Sequence, residues 1–141
     1  MDFLIGWQNY ETDFMGKTVK MELRTLRRDA SMVLMKHMNV FENMSKRYDA
    51  AQKKKLKTIK MNISDVEDMN KLLNDFEPFF LTHVRNINGI TVNKKEITPK
   101  MIIAEATFSA LVLDIITQLS INSKISKGDE KNSERLSDSQ G

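Results

Sequence analysis

The sequence predicts a mainly α, α+β fold with three principal helices, one or two short strands and a polar C-terminal tail. Three observations predict it. Apolar residues recur at three- and four-residue spacing through three long stretches. One short segment alternates instead, as a half-buried strand does. Five glycines and two prolines in 141 residues are too few for the many tight turns of an all-β fold.

The first 16 residues mix polar and aromatic side chains without a clear period. Lys17 to Arg24 then places Val19, Met21 and Leu23 on one side and Thr18, Lys20 and Glu22 on the other, the pattern of a strand with one buried face. Its expected partner is the segment around Phe3 to Trp7 or the one from Gly89 to Val92. The first helix is expected to start near Asp29 or Ser31, both good N-cap types, and to run to about Tyr48. Val33, Leu34, Val40, Phe41, Met44 and Tyr48 share its apolar face, and Met32 and Met35 fall opposite, among polar neighbours. Isolated exposed apolar residues are normal on a protein surface, but methionines so placed also suit an adaptable contact surface.

The second helix carries the strongest signal. Ser64 followed by Glu67 reads as a capping box. Val66, Met69, Leu72, Leu73, Phe76, Phe79, Phe80 and Val84 form one broad stripe beyond it. Pro78 predicts a kink, or a break after Phe76. Asn86 to Gly89 is expected to end the helix, with Ile90 and Val92 in a very short strand before a turn at Asn93 to Lys95. The third helix is expected to open with Thr98 as cap and Pro99 at its first position and to reach about Asn122. Met101, Phe108, Leu111, Val112, Ile115, Ile116 and Leu119 make its main face, while Ile102, Ala106, Ala110 and Leu113 add a second apolar side. A helix apolar on two sides is either central in its domain or covered by another chain, which points to self-association. From Ser123 the apolar pattern stops. The chain therefore reads as one helical domain over residues 1–122 and a flexible polar tail over 123–141.

There is no cysteine, so disulfides and thiolate metal sites are excluded. No run of roughly 18 apolar residues occurs, and no membrane span is expected. The opening Met1 to Trp7 is too short, and lacks the basic leader, to read as a secretory signal, so a cytoplasmic location is expected. His37, His83 and Glu105 all fall on apolar helix faces. They could be imagined around a metal, but HExxH spacing is missing, and hydrogen-bonded histidines at the edge of a core are the simpler expectation. No phosphate loop, dinucleotide fingerprint or nucleophile elbow occurs, and no enzymatic activity, cofactor or metal is expected.

The net charge is +3, with the positive excess concentrated in Lys46, Arg47, Lys53, Lys54, Lys55, Lys57 and Lys60 against the single acid Asp49. Such a run could follow a phosphate backbone. A solvated linker is the plainer reading, because the following helix turns Asp65, Glu67, Asp68 and Asp75 outward where a recognition helix carries basic or amide residues.

The order of these elements carries a resemblance. A strand from Lys17 to Leu26 leads into Arg27-Arg28-Asp29. Later come the phrase Phe80-Leu81-Thr82-His83-Val84-Arg85-Asn86-Ile87-Asn88-Gly89-Ile90, a turn at Asn93, Ile97-Thr98-Pro99, an apolar helix, and a polar tail with Asp129-Glu130-Lys131-Asn132-Ser133. This layout, over residues 17 to 133, resembles the tail assembly chaperones of long-tailed bacteriophages. The resemblance implies a non-enzymatic protein of the host cell cytoplasm that binds the long, apolar, helical tape measure protein and keeps it soluble. It also implies contact with tail tube subunits, and a homo-oligomer. On this reading Met32, Met35, Leu81 and Ile102, apolar residues off the main faces of their helices, are the expected partner-binding residues. Two readings stand beside it: a small nucleic-acid-binding or regulatory protein using residues 46–60, and a structural virion subunit such as a head–tail connector.

Overall fold

A computed structural model describes residue 2 and residues 4–39, 42, 43, 46 and 63–123. Of the interpretable residues 57% are helical and 26% lie in strands, so the fold is mixed α+β, with a small antiparallel sheet, and not purely α. Strands β1 (Trp7–Phe14), β2 (Lys17–Arg24) and β3 (Val84–Asn88) form an antiparallel sheet in the order β1-β2-β3. Helix α1 is Arg28–Lys36, α2 is Ile63–His83, α3 is Pro99–Ala104 and α4 spans 109–123. A short 3-10 turn, Ala106–Phe108, joins the last two helices. A two-strand hairpin, β4 (Thr91–Val92) and β5 (Lys95–Glu96), precedes α3.

The alternation in β2 holds: Val19, Met21 and Leu23 are buried beneath the helices, and its even-numbered residues face away. Its neighbours differ from those expected. Trp7–Phe14 pairs along its whole length, from Trp7 opposite Arg24 to Phe14 opposite Lys17. Met15 and Gly16 close this hairpin with positive φ at both positions, the twist-matched two-residue turn. Polar Gln8 and Thr12 occupy positions on the same face as Tyr10 and Phe14, which blurs the period.

The other neighbour is Val84–Asn88, where the sequence predicts the end of a helix and, further on, a strand at Gly89 to Val92. Val84 and Ile87 are three residues apart, as on a helix, yet both are buried. A one-residue bulge explains this. Lys20 pairs with Asn88 and Glu22 with Arg85, and Asn86 takes a left-handed φ of 56°. The extra residue shifts the strand's phase, so that an odd spacing brings both side chains to the same face.

Helix α1 starts earlier than expected, with Arg27 at its N-cap, and turns at His37. Val33 and Leu34 keep to its inner side; Val40, Phe41, Met44 and Tyr48 lie outside the described residues. Helix α2 begins one residue before Ser64 and runs unbroken through Pro78. Pro78 and Asn74, whose carbonyl loses its helical donor, are both exposed, so water can satisfy that oxygen. Met69, Leu72, Phe76 and Phe80 of the expected stripe are buried. Thr98 caps α3 as predicted, its hydroxyl accepting the Met101 N–H at 3.3 Å.

The expected single third helix is two helices, because Glu105 is extended (φ −105°, ψ 129°). The break resets the rotational phase. Ile102 and Ile103 turn inward before it, and Leu111, Val112, Leu113, Ile115, Ile116 and Leu119 are buried after it. Of the expected second apolar side, Ile102 and Leu113 are buried, Ala110 is half-buried and Ala106 is exposed. Short hydrogen bonds of 2.5 Å from Tyr10 and Thr12 to the Asp114 carboxylate tie α4 across the inner face of β1, and Phe14 meets Phe108 at 5.7 Å between ring centroids. Of the expected tail, 123–141, Ser123 is the last residue of α4, and 124–141 lie outside the described residues.

Candidate functional site

Helix α1 carries opposite requirements on its two sides. Ala30 and Leu34, one turn apart, are buried, and α1 packs on α2. Lys36 and His37 reach Asp75 of α2 at 3.9 and 2.8 Å. Arg28, Met32 and Met35, at i, i+4 and i+7, form the outward stripe. Met32 is 63% exposed and Met35 58%, so the sequence placed both on the correct side.

These methionines line a groove of about 630 Å³ together with Ile5, Leu26, Arg24, Arg27, Arg28 and, at the end of α4, Ser123. Ile5 is 79% exposed. The floor is apolar and deformable, since methionine fills irregular surfaces by rotating three bonds. The rim is cationic. Arg24 donates to the Thr25 carbonyl at 2.9 Å. Among the described residues no carboxylate forms a salt bridge with Arg24, Arg27 or Arg28.

The groove is held in place from beneath. The Gly6 N–H donates to the Thr25 hydroxyl and the Thr25 N–H to the Gly6 carbonyl, both at 3.0 Å, fixing the segment that carries Ile5 beside the end of β2. The start of α1 is held by a histidine. His83, buried at the end of α2, accepts the Arg27 N–H on Nε2 at 3.1 Å. Its Nδ1 then carries the proton and donates to the Phe79 carbonyl at 2.8 Å. This arrangement needs a neutral ring. Burial pushes the His83 pKa below the usual imidazole value, with Arg24 and Arg27 adding to the shift and the Phe79 carbonyl and Asp29 opposing it. The expected satisfied core histidine is therefore also the clamp on the groove's helix.

Comparison with known protein families, with curated proteins and with solved structures finds no match to this chain.

The other expected site residues scatter. Leu81 is 39% exposed on α2 but does not line the groove. Ile102 is fully buried and cannot meet a partner in the folded chain; the break at Glu105 turned it into the core. His37, His83 and Glu105 are not brought together: the first bonds to Asp75, the second to Arg27, and the third is exposed at the helix break. Among the described residues no three acids or histidines converge as a metal site would require. Of the basic run only Lys46 is described, helical and exposed; Arg47, Lys53, Lys54, Lys55, Lys57 and Lys60 lie outside the described residues. No helix among those described is long and apolar enough to cross a membrane.

Sequence reasoning missed Ile5 and the three arginines. Arg27-Arg28 was visible as a pair beside a helix start, but nothing local announced that Ile5 and Ser123 would join it. A second concavity, on the sheet, is lined by Asn9, Glu11, Lys20, Met21, Glu22 and Asn86 among others. Glu22 binds both Arg85 and Asn86, which holds its carboxyl below the usual carboxylate range, and Arg85 stacks on Trp7 at 3.9 Å from the ring centroid.

Proposed function

We propose that this chain is a non-enzymatic binding protein that shields apolar helical segments of another polypeptide, in the manner of a tail assembly chaperone acting on a tape measure protein. The observation that carries this reading is the exposed groove of Ile5, Met32 and Met35. A soluble domain with a well-filled core leaves few large apolar side chains together at its surface without use for them. A coiled-coil client offers apolar seams before it assembles, and a groove of this kind takes one helix along its apolar stripe. Methionine suits a client with many similar but non-identical seams, because the same surface repacks around each. The contact is reversible and needs no bond chemistry.

Co-expression with a long coiled-coil tape measure polypeptide, scored by the soluble fraction of that polypeptide, tests the reading. The parent chain is expected to raise that fraction, and the Met32→Ala/Met35→Ala variant to lose most of the effect while keeping its own helical circular dichroism and melting temperature. Equal rescue by parent and variant, or none by the parent, overturns it.

A further inference from the structure

We propose that the segment this groove accepts is an amphipathic helix whose apolar stripe is bordered by carboxylates. The inference rests on the protein-binding reading above and adds the partner's chemistry to it. The argument is one of charge complementarity. Arg28 stands on the same outward stripe as Met32 and Met35, at the α1 end nearest Arg27, and Arg24 closes that end from the last position of β2. Three guanidinium groups thus border one apolar floor, and among the described residues none of them has a carboxylate partner. By contrast Arg85 pairs with Glu22, and Lys36 and His37 with Asp75.

The neighbouring acid, Asp29, is exposed and forms no salt bridge with these arginines among the described residues. Asp29 turns back into its own helix start, its carboxylate accepting the Ala30 N–H at 2.9 Å. Guanidinium groups select carboxylates by planar, two-point hydrogen bonding and so set both orientation and partner choice. A helix with acids on the border of its stripe would satisfy floor and rim together. A helix bordered by lysines would meet like charge at the rim while losing nothing on the floor, and a neutral-edged helix would bind through the floor alone. The rim therefore acts as a filter on which apolar helices are held.

The probes are two synthetic amphipathic helices with the same leucine stripe, one edged with glutamate and one with glutamine, each carrying a fluorophore for anisotropy titration against the full chain. Exposed ion pairs are individually weak, so the expected preference for the glutamate peptide is about tenfold at low salt. It should largely vanish in about 0.5 M sodium chloride, where charges are screened within a few ångströms. Arg27→Gln/Arg28→Gln should bring the glutamate peptide down to the affinity of the glutamine one, and Met32→Ala/Met35→Ala should weaken both.

Equal binding of the two peptides, with both still dependent on Met32 and Met35, overturns the acidic-partner inference and leaves the binding reading standing. Binding of neither peptide, or binding indifferent to the methionines, overturns both. Displacement of the glutamate peptide by millimolar inorganic phosphate, with the methionine variant unaffected, would make the rim a simple anion site and also overturns the inference.

Discussion

Gly89 sits where the chain leaves β3, and replacing it with alanine tests the packing of that strand on β2. Its φ is 106°, outside the range an L-residue adopts readily. An added Cβ would lie 2.0 Å from the Thr18 carbonyl oxygen and 3.1 and 3.2 Å from Thr18 C and Val19 Cα. All three are backbone atoms of the central strand, so no side chain can swing away. Relief requires the β2–β3 seam to open near the Lys20–Asn88 pair, or the loop to adopt another path. Backbone strain of about 1–3 kcal/mol and overpacking of about the same size together predict a loss of roughly 2–6 kcal/mol, centred on about 4 kcal/mol. At this chain length that corresponds to a fall of about 10–15 °C in Tm. Gly6→Ala is the matched control: its φ is 119°, but nothing lies within 4 Å of the added Cβ, so it bears the dihedral cost without the collision. Thermal unfolding followed by circular dichroism compares the two. A Gly89→Ala protein that melts within about 2 °C of Gly6→Ala would refute the steric argument.

Three further outcomes are expected. The unfolded-state imidazole titrates near 6.5, and in the fold burial pushes His83 lower, so the unfolded chain takes up that proton first as the pH falls. The stability due to neutral His83 is therefore complete above about pH 6.5 and is lost as the pH drops through the folded value. Urea midpoints should consequently fall more steeply from pH 7.5 to 5.5 in the parent than in His83→Gln, and parallel curves would refute the clamp. Removing the Asp114 carboxylate takes away the acceptor for Tyr10 and Thr12, so Asp114→Ala should cost about 2–3 kcal/mol. A double-mutant cycle with Tyr10→Phe should then show coupling of about 1 kcal/mol or more, and additive losses would mean the bond contributes nothing. Ile102→Ala should destabilise by about 2–5 kcal/mol, whereas Met32→Ala and Met35→Ala should each stay within about 0.5 kcal/mol in urea titrations.

The sequence by itself determined what one face of one segment can report. The three-and-four spacing from Val66 to Val84 marks a helical stripe that is buried from Met69 to Phe80, while Val66 is exposed and Val84 belongs to β3. The alternation of Val19, Met21 and Leu23 marks a one-sided strand and Thr98-Pro99 a helix start, and both of these local signals hold. Periodicity also put Met32 and Met35 on an outward side, because that needs only the phase of one short helix. What the tertiary structure alone decided is whatever depends on a neighbour far along the chain. Trp7–Phe14 is a strand because β2 needs a partner, despite its weak period. Val84 and Ile87 mimic helical spacing because a bulge changes their phase. The break at Glu105 moves Ile102 from a supposed outer face into the core. The groove gathers Ile5, Arg24 to Met35 and Ser123 from three separate parts of the chain. A repeat in the sequence encodes how a segment divides between core and solvent. Which segments meet depends on pairing and packing between distant residues, and no local repeat records that.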